Sequence, residues 1–281
     1  MPRQRLGVAL LIPGVAGTEV DALRRAVGAD DVERLPSHLT LVPPVNVHDD
    51  DHDAALDLLR DAAHRTKPFH LTLGPPRTFL PINPVLFLEV GGDVAAVDSL
   101  RDRIFRPPLE RNLTWPFQPH VTLLDQGTEA HLRAAVDALA DYRVTFELER
   151  VHLLKEHNEE GVRVWRPIAE ATFGEPAVVG RGGLELELEI GEQVWTDTGR
   201  PLAVTARRDR VVVGTATGWT DGGAARLIDV HVAPQVRREG IGTHLVAAFA
   251  SAAAERGAEV LTAPEGSFFD RVGFVDGRRE L

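Results

Sequence analysis

The chain has 281 residues, more than one domain usually holds, which predicts two domains of roughly 100–200 residues each. Hydrophobic residues make up 43% and charged residues 26%, a balance typical of folded domains. The net charge of −11 disfavours a broad nucleic-acid-binding surface, and the absence of cysteine excludes disulfides, thiolate metal sites and cysteine nucleophiles.

The first apolar run, Leu6–Ile12, follows basic residues and resembles the start of a signal peptide. It is short and meets Pro13, so a buried strand is the better interpretation. No other run approaches the roughly 20 apolar residues of a membrane-spanning helix. We therefore expect no membrane association and a cytoplasmic location.

Two series of short apolar runs and helical patterns follow each other up to Thr172. The first predicts the elements Leu6–Ile12 (strand), Thr18–Val27 (helix), His38–Val42 (strand), Asp53–His64 (helix) and Phe69–Leu73 (strand). Thr18 and Asp21 fit a capping box, and Pro43-Pro44 is expected to end the second strand. The second series predicts Val85–Val90 (strand), Val94–Phe105 (helix), His120–Leu124 (strand), Thr128–Leu139 (helix), Arg143–Leu154 (one long strand) and Val162–Thr172 (strand).

Glycine-rich residues 177–183 are predicted to link a first domain of residues 1–176 to a second of residues 184–281. The second domain is predicted to hold the elements Leu184–Ile190, Leu202–Ala206, Val211–Ala216, Leu227–Val232 and Val260–Thr262 (strands), and Gly242–Arg256 and Ser267–Val272 (helices). The predicted fold class is α+β, with a duplicated βαβ domain followed by a compact mixed α/β domain.

Three predicted strands carry the pattern His-x-Thr, beginning at His38, His70 and His120. Side chains two residues apart in a strand share a face, so each pattern places a histidine beside a threonine. His38 and His120, 82 residues apart, occupy matching places in the two series, whereas His70 has no counterpart. His70 is therefore interpreted as structural.

His38 with Thr40 and His120 with Thr122 suit in-line hydrolysis of a phosphodiester. One imidazole would take a proton from the attacking water, and the other would protonate the departing alkoxide. The threonine hydroxyls would donate to the non-bridging oxygens. This chemistry requires no metal, and the sequence does not decide which histidine is the base.

These repeated motifs, with the approaches Pro36-Ser-His38 and Phe117-Gln-Pro-His120, resemble the 2H phosphoesterase superfamily, which includes the 2′-5′ RNA ligase-like proteins. The resemblance implies hydrolysis of a 2′,3′-cyclic or 2′-linked phosphodiester of a small nucleotide or an RNA end, with His38, Thr40, His120 and Thr122 as catalytic residues. Trp115 or Phe117 is a candidate for stacking a nucleobase. Arg77 and Arg106 are weaker candidates for phosphate contact.

In the second domain, a strand is followed by a polar turn with two glycines and then by an apolar helix. A helix N-terminus offers unpaired N–H groups and positive dipole charge, which can hold a pyrophosphate. A Rossmann motif fits poorly, because Leu245 stands where a third glycine is required.

The turn, Arg237-Arg-Glu-Gly240-Ile-Gly242, together with Phe268-Phe-Asp-Arg-Val-Gly-Phe274, resembles the GCN5-related N-acetyltransferase (GNAT) family. The resemblance implies acetyl-CoA as cofactor and an unidentified acetyl acceptor. The implied binding residues are Val230, His231, Val232, Val236, Arg237, Arg238, Glu239, Gly240, Ile241, Gly242 and Thr243.

Two departures from that family weaken the expectation of acetyl transfer. Phe269 stands where a tyrosine often protonates the leaving thiolate, and the two helices that usually shape the acceptor pocket are not expected after Ile190. Two alternatives to a bifunctional enzyme therefore stay open. In one, the first domain merely recognises a nucleotide or an RNA end and the second transfers acetyl groups. In the other, the first domain is a working phosphoesterase and the second is a non-catalytic acetyl-CoA sensor.

Overall fold

The computed structural model describes residues 2–159, 161–174, 177–181, 184–192, 199–209 and 211–281. They form two compact units. The first comprises the described residues up to Arg166 with residues 172–174, and the second comprises residues 167–171 with the described residues after 174.

An eight-stranded sheet organises the first unit. Its strands are β1 (Arg3–Leu11), β2 (His38–His48), β3 (Phe69–Thr78), β4 (Leu86–Gly92), β5 (His120–Leu124), β6 (Val144–Leu148), β7 (Arg150–Glu159) and β8 (Val162–Thr172). The helices are α1 (Gly14–Ala26), α2 (His52–His64), α3 (Val94–Ile104) and α4 (Glu129–Ala138). Each helix buries one apolar stripe, such as Ala16 and Val20 of α1, as expected of a helix packed on a sheet.

The strand order is β6-β3-β4-β5-β2-β1-β7-β8. Counted from its two ends, this order gives β5 and β2, β4 and β1, and β3 and β7 equivalent positions. The two halves are therefore related by a pseudo-two-fold axis between β2 and β5. The predicted duplication is present in the topology, but it makes β7 the equivalent of β3. The prediction that His70 has no counterpart is therefore wrong, because His152 of β7 stands 82 residues after it. Because only Glu149 separates β6 from β7, the sheet curls round to bring these distant positions close together.

Three further details of the prediction for this unit are wrong. Thr18 lies inside α1, where its hydroxyl donates to the Gly14 carbonyl, so it forms no capping box. β2 continues through Pro43-Pro44, because these prolines fall in an irregularity of the β1–β2 ladder and β5 pairs with β2 only at Leu39 among the described residues; prolines are tolerated at such bulges. The long strand Arg143–Leu154 is two strands, one paired with β3 and the other with β1.

A seven-stranded sheet organises the second unit. Its strands are β9 (Ala177–Arg181), β10 (Leu184–Glu192), β11 (Arg200–Arg208), β12 (Val211–Thr220), β13 (Ala224–Val232), β14 (Val260–Thr262) and β15 (Arg278–Glu280). They lie side by side in chain order, and only β13 and β14 are parallel. The helices are α5 (Ile241–Glu255) and α6 (Ser267–Arg271).

Helix α5 packs on the sheet through a buried apolar core. Leu245 and Phe249 of the helix belong to this core, together with Val204 of β11. Gly218 of β12 permits the close approach, since an added Cβ would meet the Arg226 carbonyl and the Phe249 ring. Gly257 has a φ of 87° and follows the end of α5, as the sequence predicts.

The predicted linker and domain boundary differ from the structure. Ala177–Arg181 forms β9 and pairs with β10, because its Val178-Val179 run suits a strand once a neighbouring backbone is present. Residues 167–171 belong to the second unit, where buried Glu170 forms an ion pair with Arg256 of α5. The predicted absence of helices after Ile190 concerns residues 193–198, which lie outside the described residues.

Of the helices in the described part of the chain, the longest is α5 with 15 residues. None of them combines the length and the hydropathy of a membrane span.

We predict that Leu39→Ala lowers the free energy of unfolding by about 2–5 kcal/mol, because it removes a fully buried side chain at the centre of the sheet. Urea denaturation followed by tryptophan fluorescence measures this loss. Val15, 84% exposed on α1, provides the control, and Val15→Ala should change stability by less than about 0.5 kcal/mol. Equal losses in the two variants would contradict the central position of Leu39.

Candidate functional site

The centre of the first sheet brings both His-x-Thr motifs together. Leu39 of β2 lies directly opposite Val121 of β5, and both are fully buried. The antiparallel register then places His38 opposite Thr122 and Thr40 opposite His120. All four side chains share the other face of the sheet, where each is half-buried.

His38 and His120 are diagonal neighbours in this arrangement. Diagonal pairs on adjacent antiparallel strands lie roughly 7–8 Å apart, which leaves room for a phosphate between two imidazoles. From the matching places of the two histidines in the repeat, the sequence predicts that a pseudo-two-fold arrangement brings the motifs to opposite sides of one cleft. In the structure they lie on adjacent central strands of one sheet face.

Both imidazoles are held in the same way. Nδ1 of His38 lies 2.8 Å from the Pro36 carbonyl oxygen, and Nδ1 of His120 lies 2.7 Å from that of Gln118. A carbonyl oxygen only accepts hydrogen bonds, so Nδ1 carries the proton in each ring. In the neutral form, Nε2 of each ring is therefore the free basic nitrogen.

The two histidines have different surroundings. Burial lowers the pKa of His38 to about 4, and the positive charge of Arg24 acts in the same direction. The hydrogen bond to Pro36 and the negative charge of Asp31 oppose this shift without cancelling it. His38 is consequently neutral at physiological pH and able to accept a proton.

Aromatic rings surround His120. The rings of Phe79 and Phe87 stack with centroids 4.1 Å apart, and both meet the His120 imidazole edge-on at 5.1 Å and 5.5 Å. Phe87 lies opposite Thr122, so it shares the face of the motifs. Sequence reasoning missed both phenylalanines, although the β4–β5 pairing expected of the repeat could have indicated Phe87.

The other side of the motifs is lined by β1. Ala9 lies opposite Thr40, and Gly7, two residues away, shares its face. A Cβ added to Gly7 would lie 3.6 Å from the indole of Trp165, so the indole lies over this part of β1. Trp165 is a second aromatic surface that the sequence did not indicate.

The aromatic candidates upstream of His120 are placed differently. Trp115 is 65% exposed, and the Phe117 ring lies against the guanidinium of Arg101, 4.4 Å from its centroid. Phe117 therefore anchors the loop before β5.

The arginine candidates also differ from one another. Arg77 shares the motif face through its position opposite Phe87, and it forms a 3.4 Å ion pair with Glu89, the residue opposite His120. Arg106 instead lies just beyond the end of α3 and donates to the carbonyl of Asp102 in its last turn.

His70 lies apart from the central motifs. It precedes Leu71, which pairs with Gly92 of β4, whereas His120 pairs with Glu89. This register puts His70 roughly 13 Å further along the strands and two strand spacings, roughly another 10 Å, across the sheet. Its neighbour Thr72 hydrogen-bonds Thr145 of β6 at 2.9 Å.

Among the described residues, no group of three or more histidine, aspartate or glutamate side chains is placed to hold a metal ion.

The second unit contains a cavity of about 1000 Å³ between the end of β13 and the start of α5. Nine of the eleven residues that the sequence predicts to bind the cofactor line it. Val236 and Ile241 instead pack into or against the hydrophobic core. Phe268 and Arg271, which the sequence did not single out as binding residues, complete the lining. The full lining is Val230, His231, Val232, Arg237, Arg238, Glu239, Gly240, Gly242, Thr243, Phe268 and Arg271.

The wall of this cavity is suited to an anion. Gly240 adopts a φ of 94° and caps α5, exposing the N–H groups of its first turn. A Cβ on Gly242 would lie 3.1 Å from the Phe268 ring. The carboxylate of Glu239 would offset part of the positive charge of the cavity wall, but it is paired with Arg208 at 2.6 Å. The arginines that line the cavity therefore give it a net positive charge.

Phe269 lies in an aromatic cluster beside the cavity. Its ring meets those of Phe268 and Phe274 edge-on, at 5.1 Å and 5.7 Å between centroids. A phenyl ring has no proton to donate, so Phe269 cannot protonate a leaving thiolate, as the sequence predicts.

Two family models match the chain. One, described as the 2′-5′ RNA ligase superfamily, matches residues 12–160, and the other, the acetyltransferase (GNAT) family, matches residues 165–274. The two matches correspond to the two folds predicted from the motifs.

Similar curated proteins include several named "putative phosphoesterase". The one from Bacillus pumilus is 27% identical over 43% of this chain and 71% of its own length. The one from Oceanobacillus iheyensis is 24% identical over 42% of this chain and 69% of its own length.

Solved structures similar to the chain include LigT from E. coli complexed with 3′-AMP. It is 20% identical, with 61% of this chain and 99% of LigT covered at a TM-score of 0.43. A structure assigned to the GNAT family, from Desulfovibrio desulfuricans, is 25% identical, with 27% of this chain and 55% of that one covered at a TM-score of 0.25.

We predict that the imidazole of His38 titrates with a pKa of about 4, which NMR of ¹⁵N-labelled histidine measures, with His38→Gln supplying the assignment. The unfolded chain binds this proton near pH 6.5. Stability contributed by His38 is therefore complete above that pH and is lost as the pH falls towards 4. A His38 pKa near 6.5 would contradict the effect of burial.

Proposed function

We propose that this chain, which belongs to the 2′-5′ RNA ligase superfamily and carries a second domain of the GNAT family, is a metal-independent phosphodiesterase joined to an acetyl-CoA-dependent N-acetyltransferase domain. Its substrates are 2′,3′-cyclic or 2′-linked phosphodiesters of small nucleotides or RNA ends. One observation carries the proposal for the first domain. Two imidazoles, each oriented by a carbonyl two residues before it, stand with two threonines at four adjacent positions on one face of the sheet.

In the proposed reaction, the phosphate lies between Nε2 of His38 and Nε2 of His120. His38 takes a proton from a water molecule, whose oxygen forms the new bond to phosphorus. The bond from phosphorus to a ribose oxygen breaks, and His120, which enters this step as the imidazolium with both ring nitrogens protonated, gives its Nε2 proton to that oxygen. Thr40 and Thr122 donate hydrogen bonds to the non-bridging oxygens, where charge accumulates in the transition state.

The assignment of His38 as base rests on its burial. A base must be unprotonated before the reaction, and the lowered pKa of His38 keeps it so down to about pH 4. The second imidazole, across the phosphate, then supplies the proton that the leaving oxygen needs. Two titrating groups complete both proton transfers, so the mechanism requires no metal-bound water.

Aromatic rings on both sides of the motifs support a nucleoside substrate. The Phe79–Phe87 stack lies beside His120, and the Trp165 indole lies over β1 near Thr40. Bases stack on such rings without strong sequence preference, which suits a small nucleotide or an RNA end. These residues replace Trp115 and Phe117 as our candidates for base contact.

In the second domain, the cavity at the start of α5 would hold acetyl-CoA. Its pyrophosphate would lie on the N–H groups of the first helical turn, near Arg238 and Arg271. The pantetheine arm would run along β13 beyond Arg226, the last β13 residue that pairs with β14 among the described residues.

One observation favours a second function for this domain. Acetyl transfer to an amine breaks the thioester and leaves a thiolate that needs a proton, and Phe269 has none to give. A sensor that binds acetyl-CoA without transferring its acetyl group is therefore the alternative. The remaining alternative, a first domain that only recognises nucleotides, is disfavoured because recognition alone requires no pair of titrating groups.

We predict that His38→Gln and His120→Gln each lower kcat for 2′,3′-cyclic nucleotide hydrolysis by about 10²- to 10⁴-fold, since each removes a proton-transfer group. His70→Gln is the matched control and should retain nearly full activity. All assays contain EDTA. If the EDTA-treated wild type hydrolyses no cyclic or 2′-5′-linked nucleotide, the proposed function of the first domain is wrong.

A substrate with a p-nitrophenolate leaving group separates the roles of the two histidines. This anion departs without being protonated, so the substrate should restore most of the activity of His120→Gln and little of that of His38→Gln. The reverse result would exchange the base and the acid.

For the second domain, we predict that Gly242→Val weakens acetyl-CoA binding at least 10-fold in calorimetry, because the added side chain meets Phe268 and fills the cavity wall. Gly223→Ala, at an open position of the same unit, should bind normally. Thiol release in the presence of a panel of amines then distinguishes transferase from sensor. Unchanged binding by Gly242→Val would place the ligand elsewhere.

A further inference from the structure

Each catalytic strand is preceded by a helix that carries a buried arginine. Arg24, near the end of α1, is 4% exposed, and Arg101, near the end of α3, is 9% exposed. Burial of an arginine is costly unless its guanidinium is well satisfied. Neither residue belongs to the reaction described above, so the contacts of each call for an explanation.

Arg24 holds the loop that leads into His38. Its guanidinium donates to the Leu35 carbonyl at 2.8 Å, to Asp21 at 3.1 Å and to Asp31 at 3.0 Å. Leu35 is three residues before His38. Arg24 therefore fastens the chain from α1 immediately before the catalytic strand.

The same network continues to the residues that touch His38. The carboxylate of Asp21 accepts the N–H of Ser37 at 2.9 Å, and the carbonyl of Ser37 accepts the N–H of Ile12 at 3.0 Å. Leu35 and Ser37 are thus both fixed. The carbonyl of Pro36, which lies between them, receives the Nδ1 proton of His38.

Arg101 makes an equivalent contact in the second half of the domain. Its guanidinium lies between the rings of Phe105 and Phe117, 4.3 Å and 4.4 Å from their centroids. Phe117 is three residues before His120, as Leu35 is before His38. The next residue, Gln118, supplies the carbonyl that receives the Nδ1 proton of His120.

We propose that Arg24 and Arg101 are a duplicated pair of positioning residues, each of which fixes the backbone carbonyl that orients one catalytic histidine. The catalytic role of the two histidines rests on the proposed function, whereas the orientation of their rings by Arg24 and Arg101 does not. The two devices use different chemistry, a forked hydrogen bond in one half and a cation between two rings in the other. Each acts on its own histidine, because α1 and α3 hold separate loops.

The test compares Arg24→Lys and Arg101→Lys, which keep the charge but lose the planar guanidinium. Arg25→Lys and Arg103→Lys, on the same two helices, are the matched controls. The ¹⁵N shifts of the imidazole nitrogens report the tautomer of each ring. We expect Arg24→Lys to reduce the Nδ1–H tautomer of His38 alone, and Arg101→Lys to reduce that of His120 alone.

Kinetics provide the second measurement. A misplaced imidazole should lower kcat for a 2′,3′-cyclic nucleotide by about 10- to 100-fold, while KM changes less than about threefold. If one of the lysine variants does not fold, Asp31→Asn and Phe117→Leu loosen the same two contacts from the loop side. Their effects should be smaller and confined to His38 and His120 respectively.

Two outcomes overturn the proposal: unchanged tautomers in the arginine variants, or equal changes in both rings together with a general fall in melting temperature. A wild type that shows no hydrolysis would contradict only the proposed function, because the tautomers are measured without substrate.

Discussion

The pairing of β2 with β5 at the centre of the first sheet is the constraint on which the candidate site depends. A single register, with Leu39 opposite Val121, places two histidines and two threonines on one face and four aliphatic side chains in the core on the other. A shift of one residue would exchange these faces. The same pairing thus couples the stability of the domain to the geometry of the site, since neither set of side chains can move without the other.

Pseudo-symmetry supplies two similar histidines, and their surroundings make them different. Both donate Nδ1–H to a carbonyl two residues earlier, which leaves Nε2 of each ring available for proton transfer. Desolvation keeps His38 neutral, whereas His120 lies beside two phenylalanine rings and opposite Glu89. A duplicated scaffold can in this way assign a base and an acid to equivalent positions, because protonation depends on the local environment rather than on the motif.

The second domain depends on backbone geometry more than on side chains. A glycine with positive φ starts α5, a second glycine admits the Phe268 ring, and β14 pairs with only the first part of β13. Together these features open a positively charged cavity at a helix N-terminus. These backbone features account for a ligand-binding cavity. They do not account for acetyl transfer after binding, because Phe269 has no proton for a leaving thiolate.

Local patterns in the sequence were sufficient to predict the two folds, most elements, both His-x-Thr pairs and nine of the residues that line the cavity. Near neighbours in the chain encode such patterns, which are periodicity, capping and short motifs. Non-local pairing determined the rest. The split at Glu149, β9 in the expected linker and the continuation of β2 through Pro43-Pro44 depend on which strand lies alongside. Phe79, just after β3, and Trp165 of β8 reach the site from other parts of the sheet, and Arg24 and Arg101 act on it through the loops that they hold. No local pattern marks them, since the curled sheet and its helices bring them into place only when the whole domain has formed.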